Sequence, residues 1–191
     1  METKTEKNIE ISETKKDENK MNSMQEVEIE KMVLHCGGTE DKLEKSIKLL
    51  GMLIKSVGIE NKVYTVQSTK RIPAFGISPG KKSGAKVTIR DPEKIHDLVE
   101  RFLIAIDSTI GEKQITTNQV CFGVPEYIEI PGLEYNRDIG ILGFEVMIVF
   151  KRKGKSVKLR KIKKGKYPKR QSISPEEIEN YLDKHFEMEI E

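Results

Sequence analysis

The spacing of apolar residues changes several times along the chain, and this succession constrains the fold more than any other feature. Within residues 25–36, apolar side chains recur at even intervals, which is typical of a β-strand. Gly37-Gly38 interrupts this pattern, and within residues 43–54 apolar residues recur every three or four positions. That second spacing predicts an amphipathic helix, with Thr39 as its cap and Gly58 as its stop.

The same two spacings alternate through the rest of the chain. Asp91-Pro92 predicts the start of a second helix, because aspartate caps helices and proline fits their first position. Ser174-Pro175-Glu176-Glu177 combines a capping box with such a proline and predicts a final helix. Strands are predicted at residues 63–68, 85–90, 119–124, 127–130 and 143–150.

This order of elements indicates an α+β fold, in which a largely antiparallel sheet has helices packed on one face. Such a sheet leaves its other face open to solvent. An open face beside basic loops can serve as a platform for RNA. We expect it to lack aromatic stacking residues, so that shape and phosphate contacts matter more than base stacking.

Composition divides the chain into three parts. Residues 1–24 are polar and of mixed charge, which predicts a disordered N-terminal tail. Residues 25–150 are predicted to form the α+β RNA-binding domain. Residues 151–191 are predicted to hold a basic extended segment, followed by a C-terminal helix that packs on the domain.

Two long stretches carry many basic residues and no acidic one. Residues 62–90 hold seven lysines and arginines, and residues 151–170 hold twelve in twenty positions. The net charge of only +3 hides this polarity. Basic side chains that neutralise phosphates release condensed counterions, so we expect a polyanionic partner, an RNA. The candidate contacts in these stretches are Lys70, Arg71, Lys81, Lys82, Lys86, Arg90, Lys151, Arg152, Lys153, Lys158, Arg160, Lys161, Lys163, Lys164, Lys166, Lys169 and Arg170.

Other classes of site find little support in the sequence. Cys36 and Cys121 lie in apolar surroundings, which predicts reduced core residues of a cytosolic protein, with a disulfide as the alternative. The histidines His35, His96 and His185 have no metal-ligand spacing, so no metal is expected. No apolar run is long enough for a membrane span, and the N-terminus lacks the apolar core of a secretion signal.

The segment 76–83 resembles a phosphate-binding P-loop but departs from it in three ways. Its glycines are one residue too close, Lys82 occupies the Ser or Thr position, and a strand follows where a helix is required. We therefore interpret it as a flexible basic loop that contacts RNA, with a merely solvated loop as the alternative.

Carboxylates cluster in one region without the partners that an acid/base site needs. These residues are Glu126, Glu129, Glu134 and Asp138. No nucleophile, metal set or oxyanion loop accompanies them, so we interpret the region as solvated or protein-facing, and the chain as not an enzyme.

A series of segments matches a known family. The segments are residues 28–37, Phe75-Gly76-Ile77, Gly80, residues 84–90, Phe122-Gly123-Val124, Glu126-Tyr127-Ile128, residues 130–135 and residues 140–146. Over about residues 22–191 the chain thus resembles the ribosomal proteins that bind 5S rRNA in the central protuberance, protein five of the large subunit. The basic tail and last helix resemble the archaeal and eukaryotic branch.

The resemblance implies a structural constituent of the cytoplasmic ribosome that attaches 5S rRNA, contacts large-subunit rRNA and needs no cofactor. Members use the open sheet face and the first turn, which map onto His35, Gly37, Thr65, Gln67, Lys86, Thr88 and Arg90. The loop 71–83 resembles the family's loop that reaches P-site tRNA. The region 134–138 lies near where the family meets small-subunit protein thirteen in an intersubunit bridge.

The chain departs from the family pattern at three places. His35 stands where asparagine is usual, residues 66–69 replace a more basic run, and Ser78-Pro79 replaces basic residues at the loop tip. Two other functions remain open at this point. An RNA-modifying or nucleotide-using enzyme would need a bound cofactor or nucleotide, and a free RNA chaperone would not stay with large subunits.

Overall fold

The computed structural model describes residues 22–186 and 188–190, so the predicted tail lies outside the described residues except for its last three positions. Apolar spacing predicted the element order correctly over most of the chain. In chain order the elements are β1 (Val27–Gly37), α1 (Asp41–Ser56), β2 (Tyr64–Gln67), β3 (Lys82–Ile89), α2 (Pro92–Ile104), β4 (Thr109–Ile110), β5 (Ile115–Thr116), β6 (Gln119–Val124), β7 (Phe144–Arg152), α3 (Ser156–Leu159), α4 (Pro175–Phe186) and β8 (Glu189–Ile190).

Six strands form one sheet in the order β2-β3-β1-β7-β6-β5. Every neighbouring pair in it is antiparallel, which confirms the predicted fold class. The short strands β4 and β8 pair in parallel as a separate two-stranded sheet. None of the described helices is long and apolar enough to span a membrane.

Alternate residues of the central strands face a single core. Met32 and Leu34 of β1 are fully buried, and the helices contribute buried side chains such as Leu50, Phe102 and Leu182 to the same cluster. Each such side chain contributes about 1.5–3 kcal/mol when it leaves water. The helices therefore cover one side of the sheet, and the intervening strand residues lie on the other side, called the open face below.

One predicted strand is wrong. Residues 127–130 contain a 3-10 turn, Tyr127–Glu129. Tyr127 is fully buried, and its hydroxyl oxygen accepts a hydrogen bond from the Asn136 N–H at 3.0 Å. The apolar residues in this segment are therefore anchors of an irregular loop. The loop returns so closely that a Cβ on Gly143 would lie 2.5 Å from the Pro125 carbonyl oxygen.

The helix starts follow the sequence only in part. Ser174 and Glu177 form the predicted reciprocal capping box, with N–H to side-chain distances of 3.4 and 3.1 Å. Thr39 is not the cap of α1, because Glu40 precedes the helix with a φ of 52° and no side-chain cap bond. Asp91 also makes no side-chain cap bond, although Pro92 begins α2 as predicted.

Candidate nucleic-acid interface

Strand β3 carries a row of polar side chains on the open face. Val87 and Ile89 are fully buried, so Lys86 and Thr88 between them point to the other side. Arg90 follows directly after the strand and continues the alternation. Lys86 and Arg90 are exposed, and neither forms an ion pair with any residue the structure describes. Lys86, Thr88 and Arg90, called the β3 row, thus present two free cations and a hydroxyl.

His35 separates the β3 row from an acidic part of the open face. It lies opposite Lys86 on one side and Glu145 on the other. Its Nδ1 lies 3.2 Å from Oε2 of Glu145, whose side chain is 78% exposed. Beyond Glu145 the face carries Met147 and Cys121. The cations of the open face are therefore concentrated on the β3 side.

Edge strand β2 departs from what the sequence predicted. Thr65 pairs with the buried Ala85, which places Thr65 on the helix-covered side of the sheet. Its neighbour Tyr64 pairs with Lys86, lies on the open face and is 58% exposed. The open face therefore does carry one aromatic side chain. The two-residue spacing of Tyr64 and Val66 was the signal that could have identified it.

The first turn and the bulged end of β2 hold two further predicted residues. Gly37 ends β1, is exposed, and pairs with Gly84. A Cβ on Gly84 would lie 2.9 Å from the Cys36 carbonyl oxygen and 3.0 Å from His35 Nε2, so the strands meet closely here. Gln67 pairs with Lys82 across a β-bulge and is exposed.

The loop between β2 and β3 is a narrow hairpin. Ile72 and Ile77 exchange backbone hydrogen bonds of 2.8 and 3.1 Å, and a 3-10 turn at Pro73–Phe75 forms the tip. Phe75 is 74% exposed. The P-loop interpretation is excluded because residues 76–83 lead into β3.

The four basic residues around this loop differ in their partners. Lys70, Arg71 and Lys82 are exposed. Lys81 Nζ lies 2.8 Å from Oε1 of Glu40, and this hydrogen bond lowers the pKa of the Glu40 carboxyl. Lys81 is therefore held by the start of α1.

The basic strap, residues 151–170, begins with side chains that the chain's own acids neutralise. Lys151 lies 3.8 Å from Glu28, and Lys153 lies 2.5 Å from Glu26. The hydrogen bond to Glu26 raises the pKa of Lys153. Lys155 pairs in the same way with Glu30. The acids lie at the start of β1, far away in sequence, and are brought alongside by the sheet.

Arg152 is partnered from the other side of the sheet. Its side chain is only 12% exposed, and its Nη2 lies 2.5 Å from both carboxylate oxygens of Glu177 in α4. Lys151, Arg152 and Lys153 thus lie in intramolecular ion pairs, which an acid-free stretch of sequence offers no means of predicting.

The remaining part of the strap is exposed. Its eight basic residues form no ion pair with any residue in the described ranges. They are Lys158, Arg160, Lys161, Lys163, Lys164, Lys166, Lys169 and Arg170. We call residues 158–170 the free strap.

The free strap is not extended, contrary to prediction. α3 begins it, and the Gly165 N–H donates to the Val157 carbonyl at 3.1 Å, which closes a compact loop. The Tyr167 hydroxyl then donates to the Gln171 carbonyl at 2.8 Å. Gly165 is needed for this closure, because a Cβ there would lie 2.7 Å from a Val157 methyl group.

The two cysteines are unpaired and lie in different places. Cys36 is buried as predicted, with Sγ 3.3 Å from the Gly143 carbonyl oxygen. Cys121 lies on the open face and is only partly buried, which corrects the prediction of a core residue. Burial raises the pKa of both thiols, and the charge of Glu145 adds to the effect. Within the described residues, no three His, Cys, Asp or Glu side chains converge as a metal site.

Comparison with known proteins gives a consistent result. The family model for the C-terminus of the ribosomal uL5 proteins matches residues 82–186. The large ribosomal subunit protein uL5 of Nanoarchaeum equitans is 32% identical over 169 residues, which cover 87% of this chain and 97% of that protein. The proteins of the same name from Picrophilus torridus and Sulfurisphaera tokodaii are each 33% identical, cover 88% and 89% of this chain, and are each matched over 95% of their own length.

Proposed function

The chain belongs to the family of large ribosomal subunit protein uL5, and on this premise we propose that it binds 5S rRNA and helps attach it to the central protuberance. Membership makes the chain a structural, non-enzymatic constituent of the large ribosomal subunit. The β3 row and the free strap are the two surfaces that hold the RNA in this proposal.

The observation that carries the proposal is the separation of paired from unpaired cations. The free strap displays eight exposed basic residues with no ion-pair partner among the described residues, while the first cations of the basic strap are neutralised internally. A folded chain gains little from a compact loop of unpaired like charges, because they repel one another. A polyanion removes that repulsion and releases its own counterions on binding.

The open face supports the same proposal in a more specific way. Lys86 and Arg90 supply phosphate contacts on one side of His35, with Thr88 between them as a hydroxyl donor. Tyr64 stands beside Lys86 and offers one ring on which a base can stack. The acidic Glu145 side of the face repels phosphates, which confines the RNA to the β3 side of the sheet.

The test is the salt dependence of 5S rRNA binding by the full chain. Each phosphate contact on duplex-like RNA contributes about 0.9 log units of affinity per log unit of salt. We expect a steep linear fall between low and high salt, and affinity independent of salt would contradict the proposal. Sedimentation with large subunits in moderate salt separates this function from that of a free RNA chaperone, which would leave the subunit.

Two further contacts follow from the family's arrangement as parts of the same proposal. The hairpin tip with exposed Phe75 reaches P-site tRNA, with an aromatic ring where charge is reduced by Ser78-Pro79. The loop at residues 134–138 meets small-subunit protein thirteen, and Tyr135 within it is 56% exposed. The free strap also touches large-subunit rRNA beside 5S rRNA.

A further inference from the structure

A cleft at one end of the sheet has no role in the proposed function as stated above. Its volume is about 500 Å³, within the range of pockets that hold small molecules the size of a nucleotide. It lies where the start of β1, the end of β3, the first turns of α2 and the last turns of α4 meet. Its lining includes two cations, three rings and a carboxylate: Arg90, Lys151, His96, Tyr181, His185 and Glu28.

The rings form a fixed platform. Tyr181 and His185 lie one turn apart on α4, with ring centroids 4.3 Å apart. Tyr181 also packs edge-on against Phe150 of the core at 5.4 Å, which sets its orientation. His96 of α2 stacks on Phe186 at 4.4 Å and closes the far side. Platforms of this kind are the surfaces on which proteins stack splayed-out RNA bases.

The charges of the cleft are divided between phosphate and base. Arg90 is exposed and makes no ion pair with the described residues, so it is available to a phosphate. Glu28 lies 3.8 Å from Lys151 and repels phosphates. A carboxylate in that position accepts hydrogen bonds from base amino groups instead.

The cleft also lies between the two cationic surfaces. The β3 row ends at Arg90, which lines the cleft, and the basic strap begins at Lys151, which lines it as well. An RNA that contacts both surfaces must cross the cleft.

We propose that the cleft holds one unstacked nucleotide of the bound RNA, with its base against Tyr181 and His185 and its phosphate at Arg90. This inference rests on RNA binding under the proposed function and adds to it a site that holds a base. It makes the C-terminal helix part of the RNA contact and gives the family's sheet-based interface a second, stacking component.

The test compares three variants of the full chain on 5S rRNA and on large-subunit rRNA. His185→Ala removes one ring, His185→Phe keeps a ring without its nitrogens, and Asn180→Ala truncates an exposed residue of α4 outside the cleft. Loss of one stacking partner lowers affinity by about 5-fold to 100-fold. We expect this loss for His185→Ala, together with restored chemical reactivity at one unpaired nucleotide that the unmodified chain protects. His185→Phe and Asn180→Ala are expected to keep both the affinity and the protection.

The outcomes separate the two proposals. If the unmodified chain binds neither RNA, the proposed function fails, and the inference fails with it. If it binds but His185→Ala leaves affinity and every protected nucleotide unchanged, the proposed function stands and the cleft does not hold a base. Equal losses for His185→Ala and Asn180→Ala would assign the effect to helix stability and overturn the inference.

Discussion

Arg152 at the end of β7 and Glu177 in the first turn of α4 are joined by both carboxylate oxygens, each 2.5 Å from the same guanidinium nitrogen. The Arg152 side chain is 12% exposed, so the pair is largely shielded from water. Glu177 also accepts the Ser174 N–H of the capping box. One carboxylate thus starts the helix and attaches it to the sheet.

We predict that Glu177→Gln lowers the free energy of unfolding by about 2 kcal/mol. Breaking a fully buried ion pair costs about 3–5 kcal/mol, and we place the value lower because the Glu177 side chain is 44% exposed. The measurement is urea unfolding followed by circular dichroism. Glu176→Gln, which removes an exposed acid from the same turn, should cost less than about 1 kcal/mol. Equal costs for the two variants would contradict a special role of the Arg152 pair.

The same pair illustrates which features the sequence could predict. The capping box is readable because Ser174 and Glu177 are three residues apart, and local spacing carries the signal. The partner Arg152 lies 25 residues from Glu177, and only the assembled sheet brings them together. Counting charges along the chain therefore overstated the number of cations free for RNA.

The faces of the central strands were predictable, whereas irregular segments were not. Alternation placed Lys86 correctly on the open face, because burial on one side fixes the register of a strand. Thr65 was assigned to the wrong face, because β2 is a short edge strand with a bulge and carries little apolar pattern. Tyr127 was placed in a strand, because a buried anchor of a loop has the same composition as a strand residue.

We predict that the free strap, and not its paired beginning, determines the salt dependence of RNA binding. Lys163→Ala combined with Lys164→Ala removes two exposed, unpaired cations. The slope of log affinity against log salt should fall by about 1.8 if both contact duplex-like phosphates. Fluorescence anisotropy with labelled 5S rRNA measures this slope.

The matched control removes an ion pair at constant net charge. Glu26→Gln combined with Lys153→Gln deletes a pair whose atoms are 2.5 Å apart. Its slope should match that of the unmodified chain, because Lys153 is already neutralised. A slope that falls as much in the control as in the strap variant would place the RNA on the paired segment.

We predict that the Glu40 carboxyl titrates below its ordinary pKa of 4.5, because Lys81 donates a hydrogen bond to its charged form. A pKa lowered by folding contributes stability above the unfolded-state pKa, and this is lost as pH falls through the folded-state value. Lys81→Met should return the pKa of Glu40 towards 4.5, while Lys82→Met, an exposed neighbour, should not. Carbon-13 NMR titration of the glutamate carboxyls measures both, and an unshifted Glu40 in the unmodified chain would rule out the pair in solution.

The hairpin between β2 and β3 allows its tip to be removed without disturbing the sheet. Ile72 and Ile77 exchange two backbone hydrogen bonds, so a two-residue turn can connect them directly. Replacing residues 73–76 by Asn-Gly deletes the exposed Phe75 and keeps the strands below in register.

We predict that this shortened hairpin binds 5S rRNA within about twofold of the unmodified chain, because the β3 row and the free strap are untouched. Ribosomes that carry it should hold P-site tRNA about tenfold more weakly if a base or ribose packs on Phe75. Filter binding measures both affinities, and Phe75→Ala in the full-length loop separates the contribution of the ring from that of the backbone. A collapse of 5S rRNA binding in the shortened chain would place the loop in the RNA interface instead, whereas unchanged tRNA affinity in both variants would remove the tRNA contact from the proposal.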